Sequence, residues 1–312
     1  MRKPQSFLRN VIGEYMSEIG ELNNEVVVVN ADLSGTCRNN GFVQKYPERS
    51  FNVGIAEQNM VSFAVGLAHE GFIPFVFSMA PFLTMRACEQ CRTDVAYGKY
   101  NVRMIGTYAG VSGGISGATH WGIEDCAIMT SIPGITVLEA SDKNHARCLI
   151  NLTLEVEGPV YIRCGVEPVD DIYPENIDVM PGGSIEVTRG NDGAILCSGV
   201  IVQYALQAAE NLKKKNISVR VVDMYSLKPI DRNAIIDAAK TGCVVVAQDH
   251  NIVGGLGSLV ATVMAEEGLS SKFRIIGMND QFVPMAHAGY LYHLFGLDAE
   301  GLEKNMLNLL GR

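Results

Sequence analysis

The stretch EVVVVNADL, Glu25 to Leu33, sets four consecutive valines before a polar segment. A short run of β-branched residues without alternation is typical of a strand that is buried on both faces of a parallel sheet. Similar apolar runs recur after helical stretches, and they read FIPFVFS, NVRMIGTYA, ITVLEA and PVYIR. Strands that alternate with helices predict a mostly parallel sheet with helices on both faces.

The alternating pattern stops between Gly165 and Gly190, where proline, aspartate and glycine are frequent, and this composition predicts a linker. Beyond the linker, helical patterns alternate again with apolar runs, which read GAILCSG, ISVRVVDMY, GCVVVAQDH and KFRIIGM. We therefore expect an α/β protein of two doubly wound, mostly parallel-sheet domains. Their predicted limits are residues 1–168 and 190–312, joined by a linker at 169–189.

The composition is that of a globular protein, with 47% hydrophobic and 19% charged residues in a chain of 312. A net charge of −9 argues against binding to nucleic acids or to anionic membranes. The first ten residues contain no apolar segment of the secretory type, and prolines interrupt the apolar runs, so we expect no membrane span. Eight scattered cysteines are expected to be free thiols of a cytoplasmic protein.

An isolated carboxyl group stands near the start of an apolar helical stretch. In NVGIAEQNMVSFAVGLAHEG, Asn52 to Gly71, Glu57 is the one charged residue before Ala68. A buried charge is costly unless it is paired or protonated. One interpretation is an acid that favours the helix dipole, and the other is a functional acid.

Three further patterns have both a structural and a functional interpretation. The segment GVSGGISGATHWG, Gly110 to Gly122, is called the glycine-rich loop below, and it is either a flexible turn or a loop that lets its backbone approach a ligand. The segment GGLGS, at 254–258, lacks the spacing of a dinucleotide-binding fingerprint, so close helix packing is favoured. The C-x-x-C of Cys88 and Cys91 has no second pair, which favours structural thiols over a redox or metal site.

Several motifs, taken together and in order, resemble the transketolases and the related deoxyxylulose phosphate synthases. They are NVGIAEQNM, FLTMRACEQCR, GATHWGIEDCAIMTSIPGITVLEASD, GPVYIRCG and VVVAQDHNIVGGLGS, and they span nearly the whole chain. The resemblance implies the pyrimidine-binding and C-terminal domains of that family. The family's Gly-Asp-Gly motif for Mg²⁺ and diphosphate does not occur here. The resemblance therefore implies one chain of a split enzyme, with the metal and diphosphate ligands on a partner subunit and an α₂β₂ assembly.

The resemblance also assigns cofactor contacts. It implies that Glu57 meets N1′ of the aminopyrimidine of thiamine diphosphate, with Ile55 in the same motif. Phe82 is expected to stack on the pyrimidine ring, and Asp32 to lie close to it. For Arg86 two interpretations stand, a contact in the cofactor site and a solvated or interfacial ion pair.

The implied substrate contacts depart from the common pattern of the family. His120 matches a histidine that contacts a donor oxygen, and Arg163 matches an arginine that binds the phosphate of the acceptor. Ser116 stands where sugar-phosphate transketolases carry an aspartate, and Tyr108 stands where relatives carry a histidine. Thr36 and Arg38 lie near a phosphate-binding position. These departures suggest a sugar phosphate or another anionic sugar, such as a sulfonate, of an atypical kind.

The expected activity is the transfer of a two-carbon glycolaldehyde unit from a ketose to an aldose. Two rival hypotheses remain open at this point. One is a related thiamine-diphosphate enzyme, either the β subunit of a 2-oxo-acid dehydrogenase or a synthase of the deoxyxylulose phosphate type. The other is a non-catalytic subunit that only stabilises a partner.

Overall fold

The computed structural model of the chain describes residues 5–282 and 284–312. Its strands are β1 Gln5–Phe7, β2 Val26–Asn30, β3 Ser50–Asn52, β4 Ile73–Met79, β5 Arg103–Thr107, β6 Thr136–Glu139, β7 Val160–Arg163, β8 Pro168–Asp170, β9 Ile185–Thr188, β10 Gly193–Cys197, β11 Val219–Asp223, β12 Ser226–Lys228, β13 Cys243–Asn251 and β14 Lys272–Met278. The four valines of the opening stretch all lie in β2, which is buried along its whole length.

The α-helices lie between these strands. They are α1 Leu8–Leu22, α2 Ser34–Cys37, α3 Asn40–Lys45, α4 Glu57–His69, α5 Cys88–Gln90, α6 Asp125–Ser131, α7 Lys143–Glu155, α8 Ile201–Lys214, α9 Arg232–Ala239, α10 Leu256–Glu266, α11 Ala288–Phe295 and α12 Ala299–Leu310. None of the helices in the described ranges combines the length and the apolar content that crossing a bilayer requires.

Two large sheets carry the fold. The first has the strand order β12-β6-β7-β5-β4-β2-β3, and the second has the order β14-β13-β10-β11-β9. All neighbouring strands in them are parallel except β12 beside β6 and β9 beside β11. The carboxyl ends of the parallel strands therefore lie along one edge of each sheet, where ligand sites of such folds gather.

Helices cover both faces of each sheet. Alternate residues of a strand point to opposite faces, so Phe75 and Phe77 of β4 pack in one apolar cluster while Val76 packs in another. In β10 of the second sheet, Ile195 joins the first cluster and Leu196 joins the second. The expected pair of doubly wound, mostly parallel α/β units is confirmed, and the two units share continuous apolar cores.

The two large sheets cross the expected domain limits at two places. Strand β9 lies inside the expected linker and pairs with β11 of the second sheet. Strand β12 lies beyond the linker, yet it pairs with β6 of the first sheet. Both are short antiparallel edge strands, whose few residues give too weak a periodic signal for detection in the sequence.

Two local expectations about packing are confirmed. All eight cysteines are free thiols, and burial raises the pKa of Cys91 to about 12. In the GGLGS segment, a Cβ atom on Gly257 would lie 2.4 Å from Cγ2 of Ile275. Glycine there permits close contact between α10 and β14, which explains the segment without a nucleotide.

Candidate functional site

The expected site residues that follow strands of the first sheet do lie at its carboxyl edge. Asp32 comes after β2, Phe82 after β4 and Tyr108 after β5. Asp32 and Tyr108 both have φ of 60°, a left-handed conformation that is uncommon for residues with a side chain. Such backbone strain clusters at functional sites.

Glu57 is the first residue of α4, and its side chain is only 3% exposed. The helix buries Met60, Val61 and Ala64 behind it, so the carboxylate stands at the entrance of an apolar core. The carboxylate is paired: Nη1 of Arg86 lies 3.3 Å from Oε1 and 3.2 Å from Oε2. Since the Arg86 side chain is half-exposed, this pair offsets only part of the cost of removing the carboxylate from water.

Arg86 also contacts the aromatic ring of Phe82. Its guanidinium carbon lies 3.9 Å from the centre of that ring, which is the geometry of a cation–π contact. Both residues belong to one π-helical turn, Phe82–Arg86. Such turns are uncommon in proteins, and many of those that occur lie at functional sites. Phe82 and Arg86 are four residues apart, a spacing at which side chains of a helical segment meet on one face.

A pocket of about 440 Å³ opens beside this pair and is lined by Ile55, Ala56, Glu57, Gln58, Asn59 and Arg86. Ile55 is 78% exposed at its rim, although its side chain is large and apolar. A large apolar side chain and a nearly buried carboxylate thus border the same opening. Residues of this chain thus form one wall of the pocket, and its other side is open.

His120 approaches the same corner from the glycine-rich loop. Its ring lies edge-on to Phe82, with 5.5 Å between the ring centres. A hydrogen bond of 2.8 Å joins Nδ1 of His120 to the hydroxyl of Thr119 and orients the imidazole. The structure therefore brings Glu57, Phe82, Arg86 and His120 together.

The remaining expected residues line the edge without direct contacts to that group. Asn52 and Asp32 hold each other by two hydrogen bonds, of 3.0 and 3.1 Å. Thr36 is half-buried in α2, and Arg38 is exposed at its end. Ser116 is exposed in a 3₁₀ turn of the glycine-rich loop.

Arg9 lies at the same sheet edge, and the sequence did not identify it as a candidate. From α1 its Nη1 donates a hydrogen bond of 2.9 Å to the hydroxyl of Tyr108, and its guanidinium lies 5.3 Å from the centre of that ring. Nε of Arg9 is buried and has no hydrogen-bond partner in the described residues. A signal was present: no acidic residue stands three or four positions after Arg9 to pair with it along the helix.

The expectation that Arg163 binds an anion of the substrate is wrong. Its side chain is fully buried, with Nε 2.9 Å from Oδ2 of Asp125 and Nη1 2.6 Å from Oε1 of Glu139. Nη2 donates to Oδ1 of Asp125 and to the main-chain oxygens of Gly122 and Asp249. The guanidinium neutralises carboxylates between the two sheets, and Arg163 is not among the residues that line the pocket beside Glu57.

One buried group among the described residues could in principle offer three atoms to a metal ion, namely Asp125, Cys126 and His250. The two oxygens of Asp125, however, already accept hydrogen bonds from Arg163 and Tyr161. A cation would also lie beside the buried guanidinium of Arg163. The group is therefore better explained as part of the hydrogen-bonded centre between the sheets.

Comparison with known proteins agrees with this geometry. Residues 6–167 match the family profile "Transketolase, pyrimidine binding domain", and residues 183–302 match "Transketolase, C-terminal domain". The two matches follow the order of the two sheets in the chain. A fold of two doubly wound sheets, with an acid at the entrance of a pocket at one sheet edge, is thus of the transketolase class.

Individual relatives give the same result. The chain is 40% identical over 302 residues to the "Putative transketolase C-terminal section" of Methanocaldococcus jannaschii, covering 96% of this chain and 95% of that protein. It is 36% identical over 297 residues to the "6-deoxy-6-sulfo-D-fructose transketolase subunit SqwH" of Clostridium sp. strain MSTE9, covering 95% and 92%. A solved structure, "Split gene transketolase, inactive beta4 tetramer", matches with a TM-score of 0.88 and 36% identity over 99% of both chains.

The chain belongs to the transketolase family. It corresponds to the pyrimidine-binding and C-terminal domains, and it matches C-terminal sections of split transketolases along nearly their whole length.

Proposed function

We propose that this chain is the C-terminal subunit of a thiamine-diphosphate-dependent transketolase that moves a glycolaldehyde unit from an anionic ketose to an aldose. The observation that carries the proposal is the geometry of Glu57. Its carboxylate is 3% exposed at the foot of an open pocket, within reach of the guanidinium that lies on Phe82. An acid and an aromatic face in this relation suit a planar, basic heterocycle.

The residues of the pocket fit the pyrimidine half of the cofactor. When bound, thiamine diphosphate would supply the nucleophilic carbon for the transfer. Glu57 would hold a proton at N1′ of the pyrimidine, and Phe82 would stack on the ring and exclude water. Ile55 would form an apolar wall, and Asp32 would lie at the far side of the ring. Arg86 now lies over Phe82, so it would move aside or shift along the ring.

The diphosphate half of the cofactor needs another polypeptide. In the described residues, the pocket beside Glu57 has no acidic side chain other than Glu57 in its lining, so this wall offers no cluster of oxygen ligands for Mg²⁺. We propose that a subunit with the diphosphate-binding domain brings the metal and diphosphate ligands, and that the assembly is α₂β₂. The isolated chain is then inactive.

The substrate would enter beside His120, which we propose binds a donor oxygen or moves a proton there. Because Arg163 is buried, we propose Arg9, which bonds Tyr108, and Arg38, at the end of the helix that contains Thr36, as candidate cations for a substrate anion, in addition to Arg86 at the pocket. Ser116 and Tyr108 suggest that the hydroxyl-reading part of the site differs from that of ordinary sugar-phosphate enzymes. The relative from Clostridium is named for a sulfonated fructose, which supports an anionic ketose of this kind as a candidate donor.

The test is reconstitution with a partner chain that carries the diphosphate-binding domain. Turnover of the assembled complex is measured with Glu57→Gln, and Glu70→Gln at the exposed end of the same helix serves as the matched control. We expect Glu57→Gln to abolish turnover and Glu70→Gln to leave it unchanged. Full activity of Glu57→Gln would support a subunit that only stabilises its partner.

The donor is identified with a panel of ketoses that carry a phosphate, a sulfonate or no anion, together with pyruvate. We expect transfer from anionic ketoses and no decarboxylation of pyruvate. Full efficiency with xylulose 5-phosphate and ribose 5-phosphate would remove the case for an atypical sugar. Consumption of pyruvate would instead favour a dehydrogenase or synthase.

A further inference from the structure

The glycine-rich loop is closed at its base before it reaches the pocket. The N–H of Gly110 donates to the carbonyl of Gly122 at 2.8 Å, and the N–H of Gly122 donates back to Gly110 at 3.1 Å. The two ends of the loop therefore meet just beyond the carboxyl end of β5. Any movement of that base would carry His120 with it, because His120 lies two residues before Gly122.

Strand β13 of the second sheet makes hydrogen bonds to both sides of this base. Oδ1 of Asp249, in β13, accepts the N–H of Val111 at 2.9 Å. On the other side of the base, the N–H of Asn251 donates to the carbonyl of Ile123 at 2.9 Å. Two residues of one strand thus hold the entering and the leaving segments of the loop.

The grip is tight, and it fixes a residue type in the loop. Gly110 has φ of 64°, and a Cβ atom there would lie 2.0 Å from Cγ of Asp249. Only glycine lets the backbone approach the carboxylate this closely. The second oxygen of Asp249 accepts the hydroxyl of Tyr292, in α11, at 2.8 Å. That bond fixes the carboxylate plane, so Oδ1 stays directed at Val111.

The contact is fully enclosed. Asp249 is 2% exposed, Tyr292 is 1% exposed and Val111 is fully buried. The guanidinium of Arg163 bonds the main-chain oxygen of Asp249 at 3.1 Å and contacts Gly122 as well. The two hydrogen bonds, from the N–H of Val111 and from the hydroxyl of Tyr292, leave the enclosed side chain of Asp249 little freedom.

We propose that Asp249 is a positioning residue through which the C-terminal domain sets the geometry of the glycine-rich loop, and with it the place of His120 against Phe82. This inference rests on the proposed function, since it gives the C-terminal domain a part in the transfer reaction. Asp249 itself does not touch the substrate. Its effect passes through Val111 and the backbone of the loop.

The test compares Asp249→Ala with Asp249→Asn. The alanine variant removes the acceptor for Val111, while the asparagine variant keeps an acceptor oxygen of the same shape. Asp237→Ala, which breaks an exposed ion pair of the same domain, is the matched control. For the wild type and each variant of this chain, amide hydrogen exchange is measured across residues 110–122, together with thermal unfolding. The kcat and KM values are measured in the reconstituted complex.

We expect Asp249→Ala to speed exchange at Val111 by about 10-fold or more, with the rest of the first sheet unchanged. Since a small misplacement of a reacting group costs up to about 100-fold, we expect kcat to fall by 10- to 100-fold, with little change in the KM of the donor. In Asp249→Asn, the exchange rate at Val111 and kcat should both be close to the wild-type values. Tyr292→Phe, which leaves Asp249 without its hydroxyl partner, should give an intermediate effect and serves if the alanine variant does not fold.

Two results would overturn the inference. In one, exchange at Val111 rises while kcat stays at the wild-type value, so that loop position does not matter. In the other, exchange rises uniformly and kcat falls only with the folded fraction, which is a loss of stability alone. Because exchange is measured on the subunit itself, it still reports on the tether if the complex shows no transketolase activity; that last result would count against the proposed function.

Discussion

Two arginine–carboxylate pairs of the first domain have opposite surroundings. Arg86 meets Glu57 beside an open pocket, and its side chain is 50% exposed. Arg163 meets Asp125 and Glu139 at a point where the arginine is fully buried. Both arginines belong to sequence motifs that resemble the same family. Arg86 nevertheless lies at the candidate cofactor site, whereas Arg163 joins the two domains. The difference lies in what covers each pair.

The second domain covers Arg163 and its two carboxylate partners, Asp125 and Glu139. Ser198 and Gln248, both from the C-terminal domain, donate to Oε2 of Glu139 at 2.6 and 2.9 Å. With these bonds and Arg163, both carboxylates are satisfied without water. A buried pair of this kind adds little net stability compared with apolar residues, but breaking it by removing one partner is costly.

The largest effect is expected when the covered pair is broken. Arg163→Met leaves Asp125 and Glu139 buried without their cation, so we expect a loss of about 3–5 kcal/mol in the free energy of unfolding. Unfolding of the subunit in urea measures it. Arg232→Met, which removes an exposed pair with Glu266 and Glu267, is the control and should change the free energy of unfolding far less, because solvent screens that pair. Equal effects of the two variants would erase the difference between the regions.

A second prediction concerns how the free energy of unfolding depends on pH, through two groups at the boundary between the domains. Asp223 and His145 lie there, fully buried, with 3.5 Å between Oδ2 and Nδ1. Burial raises the pKa of Asp223 to about 8 and lowers the pKa of His145 to about 3. Both groups are therefore neutral at pH 7, and the contact is not an ion pair.

The sign of the effect follows from proton binding. Between pH 3.8 and 8 the folded state keeps a proton on Asp223 that the unfolded state has lost, so stability falls as pH rises. Between pH 3 and 6.5 His145 acts in the opposite direction. The Asp223 effect is left uncancelled by His145 from pH 6.5 to 8, and we expect it to lower stability by about 2 kcal/mol there. Asp223→Asn should reduce the fall in the free energy of unfolding, measured in urea, between pH 6.5 and 8. A fall as large as in the wild type would contradict the prediction.

The smallest effect is expected at the open pair. Arg86→Ala removes a half-exposed cation, and solvent screens the interaction, so we expect a loss of about 1 kcal/mol or less in subunit stability. Arg92→Ala, an exposed arginine further along the same helical segment, is the control. A loss as large as that of Arg163→Met would mean that the open pair is also a structural lock.

Much of the first sheet could be predicted from sequence because its strands are buried on both faces. Continuous apolar runs such as the valines of β2 need no partner to be recognised. Glu57 was also visible, since a lone acid in an apolar run is conspicuous on chemical grounds alone. Arg9 was not, because its role depends on Tyr108, which is distant in sequence and meets it only across the fold.

The sequence by itself determined the alternation of strands and helices, the carboxyl-edge position of the site residues and the isolated acid at the start of α4. These are local properties of periodicity and residue chemistry. Tertiary structure alone decided that Arg163 is buried, that Arg86 lies between Glu57 and Phe82, and that Asp249 holds the glycine-rich loop. Each of these depends on which surfaces meet, and burial and electrostatic pairing are set by neighbours far away in the chain.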